Sequence, residues 1–109
     1  MATRRIVEQS RENVVPLSHS EEREQLALLC KALAHPIRIQ IVQFLAGVET
    51  CFCGDIVKQL PLAQSTVSQH LKMLKEAGIV QGEIDGPRTC YWLAHERLAQ
   101  LKSLISQLP

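Results

Sequence analysis

A chain of 109 residues with 46% hydrophobic content can bury one modest core and leaves no material for a second domain. Aromatic residues make up only 4% of it, which argues against the aromatic sheet platform on which single-strand and RNA binders stack bases. The formal charge of +1 means that any hold on a polyanion has to come from a local basic patch, or from doubling the chain in a dimer.

No run of 18 apolar residues occurs, and the opening M-A-T-R-R-I-V-E-Q-S-R-E-N lacks the apolar centre of an export signal, so a cytoplasmic location is expected. In that reducing setting the four cysteines are expected as free thiols, metal ligands or redox sensors rather than as structural disulfides. Residues 1–19 mix charges of both signs with few large apolar groups and read as an arm, with Arg4, Arg5 and Arg11 solvated; residues 20–109 read as the folded domain. Ser18 and Glu21 have the spacing of a capping box. Leu26, Leu29, Cys30 and Leu33 follow at helical intervals, which predicts a first helix from about Ser20 to Ala34 with Cys30 in the core or a dimer interface. His19 is assigned to the tail. Pro36, after His35 at the helix entry, opens a second helix whose stripe Ile37, Ile41, Val42 and Leu45 runs to Gly47. Gly47 to Cys53 reads as a short extended piece, and Gly54 to Leu60 as a third helix ahead of a turn at Pro61-Leu62.

Leu62 to Val80 reads as one amphipathic helix. Val67, Leu71 and Leu74 form its buried stripe, and Gly78 followed by Ile79 supplies a left-handed stop. Between Lys58 and Lys75 there is no acidic residue. The wet face carries short hydrogen-bonding and cationic side chains of the kind that reach base edges and phosphates in a major groove: Gln64, Ser65, Thr66, Ser68, Gln69, His70 and Lys72. With the preceding turn and apolar segment this makes a helix-turn-helix. Val80–Ile84 and Arg88–Leu93 flank Asp85-Gly86-Pro87 as the two strands of a wing, with Gly86 and Arg88 placed to touch flanking backbone. A last helix, His95 to Leu108, carries Leu98, Leu101, Leu104, Ile105 and Leu108; too little chain remains to cover it together with the first helix, so a symmetric dimer is expected. The predicted fold is mainly α with a small β-hairpin wing: a winged helix-turn-helix, dimeric, and not an enzyme.

Over roughly Glu24 to Gln107 the sequence resembles the arsenic-repressor (ArsR/SmtB) family of bacterial winged-helix metal sensors. The resemblance rests on K-A-L-A-H-P-I-R at Lys31 to Arg38, E-T-C-F-C-G-D-I at Glu49 to Ile56, Q-S-T-V-S-Q-H-L-K at Gln64 to Lys72, and the E-A-G-I-V exit, in that order. It implies a homodimer that sits on palindromic double-stranded operator DNA, represses transcription and lets go when a metal or metalloid binds. Cys51 and Cys53 align with the family's cysteine pair in arsenite-responsive members, so As(III) or Sb(III) is the expected inducer, with no organic cofactor and no membrane partner.

Thiolates are soft donors and favour thiophilic ions over the hard cations of the cytoplasm. Residues two apart in a helix point about 200° away from each other, so Cys51 and Cys53 can share an ion only across an extended or bent backbone. No third cysteine follows within the next turn, and the strand before the third helix is expected to pair with the returning wing strand, which carries Cys90. A three-thiolate site of Cys51, Cys53 and Cys90 is therefore the leading expectation. Two alternatives keep the same fold: a thiol-based redox or reactive-sulfur sensor, and a Zn-, Cd- or Pb-responsive repressor. His95 has no second histidine on its helix, so zinc between paired last helices is not expected.

Overall fold

The computed structural model describes residues 18–48, 52–53, 56–85 and 88–109, with the backbone alone at 52–53, 84–85 and 88. The arm, Cys51 and the Gly86-Pro87 turn lie outside the described residues.

Four α-helices, α1 (His19–Leu33), α2 (Pro36–Ala46), α3 (Gln64–Glu76) and α4 (His95–Ser106), surround one core, and three short strands, β1 (Phe52–Cys53), β2 (Val80–Asp85) and β3 (Arg88–Leu93), form an antiparallel sheet in the order β1-β3-β2. The capping box that the sequence predicts starts α1: the Glu21 N–H donates to the Ser18 hydroxyl at 3.1 Å, and the Ser18 N–H to the Glu21 carboxylate at 2.8 Å. The helix thus begins at His19, which pairs with Glu22 in its first turn rather than lying in a tail. At α2, His35 caps the helix through Nδ1, which accepts from the Ile37 N–H at 3.0 Å, and Pro36 occupies a first-turn position where no N–H is needed.

Leu29, Ile41, Val67, Leu74, Ile79 and Val80 are sealed from solvent. They belong to a core that also takes Leu45 of α2 and Leu101 and Leu104 of α4. Cys30 departs from the expected α1 stripe: Ala32 is buried in its stead, and Cys30 is an exposed free thiol. Among its helix neighbours, Leu29 faces inward and Leu28 is exposed, as is Ile39 of α2.

The third helix differs from expectation. In place of a helix over Gly54 to Leu60, the described residues form one 3-10 turn, Ile56–Gln59. Pro61 explains it, because a proline ring disfavours helical geometry in the residue before it, here Leu60, whose N–H closes a tight turn on the Val57 carbonyl at 3.1 Å. The helix predicted over Leu62 to Val80 is also trimmed at both ends. Ala63 is extended at its N-cap, and Gly78, at φ 80°, reverses the chain so that the Ile79 N–H reaches the Leu74 carbonyl at 3.0 Å. Val80 then enters β2.

Candidate nucleic-acid interface

The buried stripe of α3, Val67, Leu71 and Leu74, fixes which face is left outside. On that face Gln64, Ser65, Ser68, Gln69 and Lys72 are exposed, while Thr66 and His70 are half-buried. No side chain caps the start of α3. Lys58 and Lys75 are exposed beside this face. Between α3 and β3 runs an open cleft of about 350 Å³ lined by Ser68, Leu71, Lys72, Lys75, Glu76 and Tyr91. Gly82 makes room for its far wall: a Cβ there would sit 3.2 Å from the Tyr91 ring. Arg88 opens β3 opposite Asp85 in the wing ladder, and Gly86 lies outside the described residues.

His70 is unlike the rest of the group. Its Nδ1 lies 3.1 Å from Nη1 of Arg38, and its ring centroid is 4.3 Å from that of His35. A guanidinium can only donate, so His70 Nδ1 must be the acceptor, bare of a proton. Burial first, then the neighbouring His35 and Arg38, hold the His70 pKa below the ordinary imidazole value. Sequence reading assigns His70 to DNA contact and misses Arg38. The available signal is spacing, since Arg38 stands one turn after the His35 cap and just past the C-terminus of α1, where a cation can meet unpaired carbonyls. Arg97 escapes it for the same reason. From α4 its Nε donates to the Ala77 carbonyl at the end of α3 at 2.8 Å.

The sulfur residues are divided. Strands β1 and β3 are paired so that Cys53 stands opposite Cys90 and Phe52 opposite Tyr91. Cys90 is buried and disulfide-bonded. Cys51 and the side chain of Cys53 fall outside the described residues. Among described residues no three His, Cys, Asp or Glu side chains converge on a common point. No single described helix is long and apolar enough to cross a membrane.

A family described as bacterial regulatory protein, arsR family, matches residues 35–81, from the cap of α2 into β2. A transcriptional repressor named SmtB from Mycobacterium tuberculosis is 45% identical over 73 residues, which cover 67% of this chain and 53% of the relative, so the chain spans about half of that protein's length. The biofilm growth-associated repressor of Agrobacterium fabrum is 38% identical over 88 residues, 80% of this chain and 74% of that one. Among solved structures, one of a possible transcriptional regulator for arsenical resistance is 33% identical with a TM-score of 0.60, covering 72% of this chain and 80% of the other. The homodimeric winged helix-turn-helix DNA-binding domain Mb0332 of Mycobacterium bovis is 28% identical with a TM-score of 0.65, covering 85% and 87%. The helix-turn-helix, the hairpin that follows it and these likenesses agree, and the chain belongs to the arsR family of bacterial DNA-binding regulatory proteins, which are not enzymes.

Proposed function

We propose that this chain is a metalloid-responsive transcriptional repressor: a homodimer that holds a palindromic operator and releases it when As(III) or Sb(III) is captured by Cys51, Cys53 and Cys90. The observation that carries the reading is the β1–β3 register. It sets the Cα atom of Cys53, on the strand that precedes the 3-10 turn and α3, opposite that of Cys90 on β3. Opposed residues in an antiparallel pair hold their Cβ atoms about 5 Å apart, within reach of one ion shared by two thiolates. Cys51 joins the site on the strength of its sequence position. Support for DNA contact comes from the exposed Gln64, Ser65, Ser68, Gln69 and Lys72 with the half-buried Thr66; Gly86 and Arg88 join the interface on the strength of their sequence position in the wing. Support for the dimer comes from Leu28, Ile105 and Leu108, which stay exposed in the protomer, and from the homodimeric state of the Mycobacterium bovis domain.

In the repressing dimer the two α3 helices enter successive major grooves about 34 Å apart. Gathering three sulfurs around one ion bends the backbone at Cys51 to Cys53 and shifts the chain entering α3, so the spacing of the two reading helices no longer fits the operator. Linkage then requires DNA to weaken arsenite binding by the same factor that arsenite weakens DNA binding, typically about 5–150-fold. Because Cys90 is disulfide-bonded in this structure, capture begins from the reduced protein.

The test is an arsenite titration of the protein on operator DNA in a thiol-free reductant, with sulfur-to-arsenic absorption in the ultraviolet read alongside. Release with new absorption, both lost in Cys53→Ser and Cys90→Ser, is the expected result. Operator binding that persists at saturating arsenite overturns the reading. Release by persulfide or peroxide with arsenite inert would transfer the input to thiol oxidation, and release by zinc, cadmium or lead alone would transfer it to those ions.

A further inference from the structure

Arg38 spans three elements. From α2 its Nε donates to the Ala32 carbonyl at 2.6 Å, its Nη2 reaches toward the Lys31 carbonyl at 3.5 Å, and its Nη1 donates to His70 of α3 at 3.1 Å. Ala32 and Lys31 belong to the last turn of α1, where the Ala34 N–H already donates to the Lys31 carbonyl at 3.2 Å and Arg38 adds donors from outside the helix. His35 closes the cluster by stacking its ring at a tilt of 47° on His70 while its own Nδ1 caps α2. The α1 helix packs on α4, the pair that bears the exposed Leu28 and Ile105. The guanidinium therefore joins the reading helix to the layer through which two copies would meet. Its fork is what allows this, since two carbonyl-directed donors and one imidazole-directed donor leave a single planar group in fixed directions.

We propose that Arg38 is a positioning residue for operator recognition, holding α3 through His70 to the last turn of α1, so that the orientation of the reading helix is set from the α1–α4 layer. This rests on the reading of α3 as the DNA-contacting helix. His70 is then a link in the strut rather than a base-reading residue.

The strut has a protonation signature. The next proton on a neutral His70 must go to Nδ1, the atom that accepts from Arg38, and it would set two cations against each other. From α2 the groups facing His70 are His35 and Arg38; Lys31 of α1, Lys58 of the 3-10 turn and Glu83 of β2 are exposed, as are Lys72, Lys75 and Glu76 of α3 itself. A folded-state pKa below the unfolded value of about 6.5 means that the strut contributes fully above that pH, and that its contribution is lost as the pH falls through the folded value.

The experiment uses a palindromic duplex selected from a random-sequence pool by the wild-type protein, with binding read by fluorescence anisotropy between pH 5.5 and 8. Arg38→Lys, whose single ammonium cannot bridge carbonyl and imidazole together, is expected to weaken binding about tenfold at pH 7.5, the scale of one charge-assisted hydrogen bond. His70→Phe, which keeps the ring and removes the acceptor, is expected to do the same. His70→Gln, which restores an acceptor oxygen, is expected to recover most of the affinity and to flatten the decline below pH 6.5. Wild-type binding by both Arg38→Lys and His70→Phe, or an unchanged pH profile in His70→Gln, overturns the proposal. Should a variant fail to fold, imidazole nitrogen NMR of the wild-type protein decides: Nδ1 unprotonated at pH 7.5, with His70 titrating below 6.5, is required, and a protonated Nδ1 overturns the strut. A wild-type protein that selects no duplex would instead overturn the DNA-binding reading, an outcome separable from the NMR result.

Discussion

Helices α3 and α4 are built alike and finished differently. They have 13 and 12 residues, each starts at an alanine N-cap with no side-chain cap, and each buries leucines in the same core. Neither gains a side-chain cap at its start, so both rely chiefly on the packed stripe, as short helices in water must. The difference lies outside that stripe. Beyond its leucines α3 shows Gln64, Ser65, Ser68, Gln69 and Lys72, whereas α4 leads to Ile105 and Leu108, which are 46% and 56% exposed. One helix leaves hydrogen-bonding capacity unspent and the other leaves apolar area uncovered. Equivalent scaffolds thus suit the two different partners proposed above, a polar groove for α3 and a second copy of the chain for α4.

The change expected to have the largest effect removes what the two helices share. Leu74 is wholly buried, so Leu74→Ala should lower unfolding free energy by about 2–5 kcal/mol through lost burial and the cavity left behind, as read by urea denaturation. A loss below about 1 kcal/mol would mean that α3 does not rely on this core. Next comes the face that only α4 has. Ile105→Asp with Leu108→Asp should leave the far-ultraviolet circular dichroism of the protomer intact but move its sedimentation from dimer to monomer. Operator affinity should then fall by about 100-fold, because two linked half-site interactions become one. A monomer that binds the full palindrome as tightly as wild type would break the comparison.

Much of this contrast is legible in the sequence because it is written in periodicity. The stripe Val67, Leu71, Leu74, the Ser18–Glu21 box, the Pro36 entry and the strands on either side of Asp85-Gly86-Pro87 each follow from local spacing, and each has its counterpart in the fold. Periodicity does less well where a neighbour decides. Cys30 fits the α1 stripe by number but is exposed in the protomer, where Leu29 and Ala32 are the buried residues of the helix. The segment before Pro61 is apolar enough for a helix, yet the proline confines it to a 3-10 turn. His70 lies on the wet side of a helical wheel, and its contact with Arg38, which is distant in sequence, leaves no mark in local spacing. The pairing of Cys53 with Cys90 follows from the usual path of a winged helix, and the β1–β3 register has that form.

A smaller effect is expected where the two helices meet. Gly78 has a φ of 80°, and a Cβ there would lie 3.4 Å from Nε of Arg97, the α4 side chain that bonds the Ala77 carbonyl. Gly78→Ala therefore meets left-handed strain, while its new Cβ makes only an ordinary contact with Arg97. It should cost about 1–2 kcal/mol in thermal unfolding, with α3 and α4 both kept. An unchanged melting temperature would show that the turn relaxes into another conformation.

The smallest change sharpens the contrast most, because it replaces one exposed lysine on each helix. Lys72 of α3 and Lys102 of α4 are both exposed, and neither substitution by alanine should move stability by more than about 0.5 kcal/mol. Their effects on DNA binding should separate. If Lys72 meets a phosphate in each protomer, Lys72→Ala removes one released counterion per half-site. The slope of log affinity against log salt should then fall by about 0.9 for every phosphate no longer neutralised, while the choice between operator sequences is retained. Lys102 lies on the helix assigned to the partner copy, so Lys102→Ala should leave that slope unchanged. Equal slopes for the two variants would mean that the field around the whole dimer, rather than the face of α3, holds the DNA.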